Sequence, residues 1–358
     1  RGRSRSVLGR RRGIGHNNRF AEVRSVMAQE AARRREQQGL LIVGKGALSL
    51  LLLWVLFRRA DVGEMIRTLA GIRLEFFLLA LALYIGGQLL SALRWKVLTV
   101  PLGLSIPYGR LAALYFLGMF FNFFLPTVIG GDAVKAYYLA RQTRDSVRAL
   151  ASVFMDRNTG LCALLLIALV AAIAGRVAFS DRALAVPVAG AFLLYLGVNL
   201  LLFIEAPYRA LVRCFTALRL PSGAALADRA HAALRTYRSS PASVGKALVL
   251  SLAFHLLLIG LNYANARALG LRLDLLPFCV FIPIISLLSM FPITMYGLGV
   301  REYAFVALFS TLGLAREASL LLALLWFVVT LLASLPGAVL YVLFRHRPSA
   351  EGPVPGAG

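Results

Sequence analysis

The chain has 358 residues, of which 59% are hydrophobic and only 15% are charged. A soluble domain is about 45–50% apolar and about 25% charged. The composition therefore excludes an intrinsically disordered protein and a cytosolic enzyme. Three cysteines without a C-x-x-C pair also exclude a disulfide scaffold and a thiolate metal site. We predict a polytopic membrane protein that needs no cofactor or metal.

The net charge of +23 does not indicate nucleic-acid binding, because much of it is concentrated in an N-terminal segment and in short loops. Residues 1–38 contain eleven Arg and three Glu. Met27 shortly precedes the first apolar run and is a candidate translation start, in which case residues 1–26 are not native. No cleavage-site pattern follows that run, so no secretory signal is predicted. The predicted division is a basic cytoplasmic segment at 1–39, a transmembrane domain at 40–345 and a short cytoplasmic tail at 346–358.

Eight apolar runs follow, most of them near the roughly twenty residues that a helix needs to cross ~30 Å of hydrocarbon. The runs are Leu40–Phe57, Leu74–Leu93, Leu111–Ile129, Ala149–Ala174, Ala183–Ile204, Ala247–Ala264, Leu275–Met295 and Ala318–Phe344. We predict an all-α polytopic membrane protein in which six runs span the membrane. The third and seventh runs are predicted to be two opposed re-entrant or broken helices of an inverted repeat.

Those two runs contain helix-breaking residues. The third contains Pro126 and continues into Gly130 and Gly131, and the seventh contains Pro277, Pro283 and Pro292 and continues into Gly297 and Gly299. Proline removes a backbone donor and glycine weakens a helix, so both segments are expected to break near membrane depth. Interrupted apolar segments in corresponding positions of two halves indicate the binding site of a transporter.

The two broken segments also resemble each other in sequence. Residues 126–137 align without gaps with residues 292–303, with four identities and with Lys135 opposite Arg301. The shared pattern is P-x4-G-x2-V-[KR]-x-Y. Chance is the alternative explanation, but the matches fall on Pro, Gly and a cation rather than on abundant Leu and Ala. The pattern favours an internal repeat.

The distribution of Lys and Arg predicts the orientation. If both broken segments turn back and the other six runs span, the cytoplasmic segments contain 27 Lys and Arg and the outer segments contain 10. This excess is the one expected when both termini are cytoplasmic. Three crossings then separate the broken segments, which places them on opposite faces and makes the repeat inverted. If both segments crossed, four crossings would separate them and the repeat would be parallel.

Few ionisable residues lie inside or directly beside the apolar runs. They are Asp132, Lys135, Asp156, Arg157, Arg301 and Glu302. Such groups cost about 2.5–3.5 kcal/mol each near the bilayer centre on insertion scales and mark a pathway or a site. The glycine-rich breaks also expose backbone N–H groups at the start of a half-helix, where the dipole favours an anion.

From this pattern we predict a site for an anionic lipid headgroup. Lys135 and Arg301 would hold the phosphate in turn from the two faces, and Asp132 and Glu302 would pair with them in the empty site. Asp156 and Arg157 would form a lateral pair in the same cavity. The alternative is that Lys135 and Arg301 snorkel to the interface and only set topology.

Several motifs, in this order, carry a family resemblance. They are Ser91-Ala-Leu-Arg94-Trp95-Lys96, Asn122-x3-Pro126-x3-Gly130-Gly131-Asp132-x2-Lys135, Asp156-Arg157 and Pro292-x4-Gly297-Leu-Gly299-Val-Arg301-Glu302. Over residues 40–345 the chain resembles the lysylphosphatidylglycerol synthase transmembrane-region family of flippase-like proteins. It departs from the family pattern in Lys135, where Arg is common, and in Met295-Tyr296, where small residues are usual.

The resemblance implies lipid translocation in a bacterial cytoplasmic membrane. The substrate would be an aminoacyl-phosphatidylglycerol or a polyprenyl-phosphate-linked lipid. The residues expected to bind it are Asn122, Pro126, Gly130, Gly131, Asp132, Lys135, Asp156, Arg157, Pro292, Gly297, Gly299, Arg301 and Glu302. The chain ends at Gly358 shortly after its last run, so we expect the soluble aminoacyltransferase domain of bifunctional members to be absent. A separate lipid-modifying enzyme is then an expected partner, and the chain itself is expected not to be an enzyme.

Other classes of function stay open at this stage. The sequence contains no G-x-S-x-G, no H-E-x-x-H and no Asp-rich cluster, which argues against an integral-membrane lipid enzyme. An ion channel or ion-coupled transporter remains an alternative, because re-entrant pairs also form pores. A membrane partner of a lipid- or glycan-modifying enzyme is a third reading, with an amphipathic helix predicted at Ala224–Arg238. His255, inside an apolar run, is predicted to be a core histidine bonded to a neighbouring helix.

Overall fold

The computed structural model of the chain is helical throughout the part it describes, without strands. The described residues are 44–58, 60–124, 130–179, 185–203, 205–217, 221–290, 294 and 297–345. Pro126 and Pro292, both predicted site residues, lie outside them, as does the predicted tail. The chain divides into units of residues 1–48 and 49–358, and all the packing reported for this protein lies within the second unit.

The helices are named in chain order. They are α1 (Gly44–Phe57), α2 (Val62–Ala70), α3 (Leu74–Thr99), α4 (Tyr108–Phe124), α5 (Gly130–Thr143), α6 (Ser146–Phe179), α7 (Ala185–Phe203), α8 (Glu205–Ala217), α9 (Pro221–Arg238), α10 (Pro241–Ala268), α11 (Leu275–Ser289), α12 (Val300–Phe309) and α13 (Arg316–Arg345).

Four of these helices, α3, α6, α10 and α13, have apolar stretches long enough to cross a membrane. The stretches are Leu74–Thr99, Ser146–Ile173, Pro241–Ala268 and Arg316–Leu343. They coincide with four of the six predicted spans. The other two predicted spans correspond to α1 and α7, whose apolar parts, Gly44–Phe57 and Val188–Leu200, are shorter. The prediction of several membrane-spanning helices is confirmed, and the number six stays a prediction.

Helices α3 and α10 pack against each other in antiparallel orientation. The backbone N of Arg73, just before α3, donates to the carbonyl of Ala268 at the end of α10. Further along, Gly87 of α3 contacts Phe254 of α10. The absence of a side chain at Gly87 allows this close approach. The long contact fixes the register between the two helices, so that the polar groups on their facing sides meet at defined levels.

The third apolar run breaks into two helices that turn back on each other. Helix α4 ends at Phe124 and α5 begins at Gly130. The Oδ1 atom of Asn122 accepts a hydrogen bond of 2.7 Å from the backbone N of Gly131, and Gly118, one turn earlier, contacts Lys135. Residues later in α5 contact residues earlier in α4, so the two helices form an antiparallel hairpin. The predicted break is therefore confirmed.

The seventh run forms a second hairpin. Ser289, the last residue of α11, contacts Gly297, and the Phe281 ring of α11 lies 5.2 Å from the Phe309 ring of α12. The break lies between Ser289 and Val300, whereas Pro283 is accommodated inside α11. Two antiparallel hairpins are consistent with the prediction of two re-entrant or broken segments. Their inverted relation in a membrane stays a prediction.

The structure corrects the predicted boundaries in the loops. Residues 94–99, assigned from the sequence to a cytoplasmic loop, continue α3, because Arg94 and Trp95 have buried partners on other helices. The helix predicted at Ala224–Arg238 is confirmed as α9, which begins three residues earlier. Two amphipathic helices were not predicted, namely α2, capped by the Asp61 carboxylate, and α8.

Candidate functional site

A cluster of alternating positive and negative side chains lies where α3, α5 and α6 meet. Asp156 of α6 is bonded at 2.7 Å to Nε of Arg94 on α3 and lies 3.5 Å from Nζ of Lys135 on α5. The same Nζ lies 2.8 Å from Oδ1 of Asp132, and the other oxygen of Asp132 pairs with Nε of Arg157. The ion pairs connect these groups in the order Arg94, Asp156, Lys135, Asp132, Arg157. These five groups join three helices through ion pairs.

Hydrogen bonds hold Arg94 and Asp156 in place. Arg94 also donates to the hydroxyl oxygens of Ser251 on α10, at 3.0 Å, and of Tyr115 on α4, at 3.2 Å. The Tyr115 hydroxyl in turn donates to Oδ2 of Asp156 at 3.2 Å. A buried ion pair is tolerated only when further hydrogen bonds satisfy its remaining donors and acceptors. The part of the cluster around Arg94 and Asp156 is thus preorganised.

Aromatic rings surround the ammonium group of Lys135. Its Nζ lies 4.0 Å from the centroid of the Tyr115 ring and 5.3 Å from that of the Trp95 ring. The face of an aromatic ring attracts a cation, and more strongly where water is excluded. Lys135 therefore keeps its charge in an apolar setting through two carboxylates and two rings.

The hairpin of α4 and α5 positions Lys135 and Asp132. A Cβ atom on Gly131 would lie 2.1 Å from the carbonyl oxygen of Gly118, and one on Gly118 would lie 2.8 Å from the carbonyl oxygen of Gly131. Two glycines at this crossing are therefore required for the backbones to approach. The close approach directs the first turn of α5 towards α6, where Asp132 meets Arg157.

The cluster carries a net positive charge. Three cations and two carboxylates give +1 when all are ionised, and each carboxylate is shared between two cations. The side chains of Lys135 and Asp156 are 3% and 0% exposed, whereas that of Arg157 is 44% exposed. An anion that approaches through the open side would meet Arg157 first and Lys135 second. The net positive charge of the cluster would attract an anion to this side.

A cavity of about 230 Å³ lies beside the cluster. Its charged lining consists of Arg94, Asp132, Lys135, Asp156 and Arg157, and Tyr115, Asn122 and Gly131 adjoin them. Gln88, Ser91 and His255 line it together with apolar residues. The volume is below the roughly 300–1,000 Å³ of sites that enclose drug-sized ligands. It fits a small polar group rather than a large ligand.

The second predicted cation, Arg301, has a different setting. Its Nη2 atom lies 2.6 Å from Oε1 of Glu302, and Oε2 of Glu302 accepts from the backbone N of Gly299 at 2.6 Å. Gly299 has φ +88°, a backbone conformation that residues other than glycine rarely adopt. The Arg301 guanidinium lies 5.7 Å from the Trp326 ring centroid on α13. Arg301 is thus buried and paired within its own helix.

The structure brings together some of the predicted site residues and separates others. Among the described residues, Asn122, Gly131, Asp132, Lys135, Asp156 and Arg157 line the cavity, and Gly130 precedes Gly131 at the start of α5. Gly297, Gly299, Arg301 and Glu302 belong to the second hairpin and are not among the residues lining that cavity. The predicted lateral pair takes another form, because Asp156 bonds to Arg94 and Arg157 pairs with Asp132.

Several site residues were missed or misjudged from the sequence. Arg94 was counted as a loop cation, and Tyr115 and Ser251 look like ordinary residues of apolar runs. The available signal was the spacing of Gln88, Ser91 and Arg94, which places three polar groups on one face of α3. His255 was predicted to bond to a neighbouring helix, and its Nε2 lies 3.1 Å from the carbonyl of Gly160 on α6, which confirms that prediction.

Comparison with known families identifies the membrane domain. Residues 42–337 match the family described as the lysylphosphatidylglycerol synthase TM region. The chain belongs to this family. The match extends from α1 into α13, so both hairpins and the whole cluster of charges lie within the part that defines the lysylphosphatidylglycerol synthase transmembrane-region family.

A curated relative is a UPF0104 membrane protein of the archaeon Methanocaldococcus jannaschii. It is 28% identical over 95 residues, which cover 26% of this chain and 28% of the relative. The chain thus aligns with less than a third of that relative's length. No solved structure matches. The family and this relative agree in one respect, because the description of each refers to a membrane protein.

Proposed function

We propose that this chain is a flippase-like transporter that moves a phosphate-bearing lipid between the leaflets of the cytoplasmic membrane. The observation that carries the proposal is the cluster of Arg94, Lys135 and Arg157 with only two carboxylates, placed beside a cavity among apolar helices. A net positive cluster among apolar helices is costly, and such groups by default mark a binding site or a pathway. A phosphate is the ligand that such cations hold best, because charge-assisted hydrogen bonds are roughly twice as strong as neutral ones.

The proposed binding step is an exchange of anions. In the described state Asp132 occupies the position between Lys135 and Arg157. A lipid phosphate that reaches Arg157 takes over both cations and displaces Asp132. Asp156 stays bound to Arg94, because that pair has further bonds to Ser251 and Tyr115. Asp132 then re-pairs when the lipid leaves, so that the cations are not left unneutralised in either state.

Arg301 and Glu302 are proposed to serve as the corresponding half-site of the second hairpin. Arg301 aligns with Lys135, and both lie in the first turns of the second helix of a hairpin. The carboxylate of Glu302 already accepts from the backbone N of Gly299 and from Arg301. A phosphate would replace it on both groups. With both termini cytoplasmic, the two half-sites would face opposite leaflets.

This function requires no chemical step, and we expect no catalysis by the chain itself. The sequence contains no nucleotide-binding motif of the G-x4-G-K-[ST] type. Transport would therefore run down a lipid gradient or be coupled to an ion. Aminoacyl-phosphatidylglycerol and polyprenyl-phosphate-linked lipids both satisfy the phosphate requirement, and an enzyme that makes such a lipid is the expected partner.

The test is lipid translocation in proteoliposomes that contain a fluorescent phospholipid in both leaflets. Accessibility of the label to an added reductant reports movement across the bilayer. We expect the wild-type protein to accelerate the movement and Arg157→Gln to reduce the rate at least tenfold. Arg209→Gln is the control, because it removes the same charge from an exposed position on α8. Conductance of inorganic ions without movement of lipid would contradict the proposal and favour a channel.

A further inference from the structure

The cavity contains a second polar region that the binding of a phosphate does not use. Gln88 and Ser91 of α3 and His255 of α10 line it, and they are 5%, 2% and 8% exposed. None of the three carries a charged partner: His255 bonds to a backbone carbonyl, and no hydrogen bond in the described part of the chain involves the side chains of the other two. A buried polar group without a partner is unfavourable. Two such side chains, Gln88 and Ser91, and the unpartnered Nδ1 atom of His255 at one cavity indicate a ligand.

The positions of these residues follow from the helix register. Gln88, Ser91 and Arg94 are spaced by three residues and share one face of α3. At 1.5 Å per residue, Gln88 lies about 9 Å along the helix from Arg94. On α10, His255 lies four residues, or about 6 Å, beyond Ser251, which bonds to Arg94. Because the two helices are antiparallel, both displacements point the same way.

The uncharged region, defined as Gln88, Ser91 and His255, therefore lies one to two helical turns from the charged cluster. The Nε2 atom of His255 bonds to a carbonyl oxygen, which can only accept, so Nε2 carries the proton and Nδ1 of the neutral ring is an acceptor. Among the described residues Nδ1 has no hydrogen-bond partner. Gln88 adds an amide, which both donates and accepts, and Ser91 adds a hydroxyl. The region thus offers a mixed set of donors and acceptors.

This mixture discriminates between kinds of headgroup. A hydroxyl group both donates and accepts, so it can pair with any of the three side chains. An ammonium group only donates, and its charge requires a carboxylate when it is buried. Among the described residues that line the cavity, the carboxylates are Asp132 and Asp156, and both belong to the charged cluster, one to two helical turns from the uncharged region. An ammonium group bound in the uncharged region would therefore lack an anionic partner.

We infer that the ligand of this cavity is a phospholipid whose headgroup carries hydroxyl groups, such as a glycerol or a sugar, beyond the phosphate. The inference rests on the proposed function and narrows its substrate class. The phosphate binds at Lys135 and Arg157, and a hydroxyl group binds at the uncharged region. Lipids whose headgroup offers only a bare phosphate, or an ammonium group without a hydroxyl, are disfavoured.

The experiment compares four fluorescent lipids in phosphatidylcholine proteoliposomes. Phosphatidylglycerol and phosphatidylinositol carry hydroxyl groups, phosphatidic acid carries none, and phosphatidylethanolamine carries an ammonium group. We expect at least one hydroxylated lipid to be translocated at least tenfold faster than the other two classes, which corresponds to about 1.4 kcal/mol. The Gln88→Leu and His255→Leu variants should lose this preference, so that the hydroxylated lipids move no faster than phosphatidic acid.

Asn262→Leu is the matched control. Asn262 is a fully buried amide on α10 that is not among the residues lining the cavity, so this variant should keep the preference. Equal rates for all four lipids in the wild type, with all of them lost in Lys135→Gln, would overturn the inference and leave the proposed function intact. Absence of movement for every lipid, in the wild type as in Lys135→Gln, would overturn both. A preference that survives both cavity variants would overturn the assignment to Gln88 and His255.

Discussion

The Nε atom of Arg94 lies 2.7 Å from Oδ1 of Asp156, and this ion pair joins α3 to α6 across 62 residues of sequence. The carboxylate is fully buried and also neutralises Lys135. It is therefore the point at which the part of the cluster held by Tyr115 and Ser251 meets the part that we propose to exchange anions. The stability of the helix arrangement and the charge of the site depend on the same group.

Removal of the Asp156 carboxylate should destabilise the protein strongly. In Asp156→Asn, Arg94 and Lys135 both lose a buried partner, and breaking a buried pair costs about 3–5 kcal/mol. We expect a clearly lower midpoint of thermal unfolding in detergent. The control is Glu205→Gln, which breaks an exposed pair on α8 and should leave the midpoint unchanged. Equal midpoints for the two variants would show that the pair does not hold α3 to α6.

A methyl group at the crossing of α4 and α5 should open the hairpin. The Cβ of Gly131→Ala would lie 2.1 Å from a backbone carbonyl oxygen, which cannot move aside as a flexible side chain can. We expect lower thermal stability and loss of lipid translocation, because Asp132 and Lys135 move away from α6. Gly245→Ala is the matched control, since nothing lies within 4 Å of its Cβ. A Gly131→Ala protein with wild-type stability and rate would refute the close crossing.

Neutralisation of the aligned cations separates a binding role from a topogenic role. Lys135→Gln and Arg301→Gln keep much of the side-chain length and remove the charge. If the cations hold phosphate, each variant loses most of its translocation activity with normal expression and orientation, and Lys135→Arg is tolerated. If they only set topology, one lost charge has little effect, because the predicted cytoplasmic excess of 27 over 10 remains. Wild-type translocation by the double variant would exclude the binding role.

The orientation of the two hairpins is tested with cysteine reporters in a background without Cys162, Cys214 and Cys279. A cysteine at position 142, near the end of α5, should react with an impermeant reagent only from the cytoplasm. A cysteine at position 314, between α12 and α13, should react only from outside. The expectation follows from the odd number of crossings between two hairpins that turn back. Reaction of both positions from the same face would rule out the inverted repeat.

Local chemistry made much of the fold predictable. Proline and glycine weaken a helix through their own local chemistry, so the breaks before α5 and α12 could be placed from the positions of the glycines and prolines. Pro283 shows the limit of this argument, since α11 continues through it among buried neighbours. The amphipathic helix α9 could likewise be predicted from the spacing of its apolar residues, which recur at helical intervals.

The sequence by itself determined that the chain is a membrane protein, where its apolar helices lie, and which charges stand inside or beside them. These properties depend on composition and on neighbours close in sequence. Only the tertiary structure decided which charges pair, because Asp156 finds its partners 62 residues earlier and 21 residues earlier, on other helices. The same holds for the uncharged region, which exists only because α3 and α10 pack in one antiparallel register. A buried polar group is stabilised by whatever partner the packing supplies, and adjacency in the sequence does not reveal that partner.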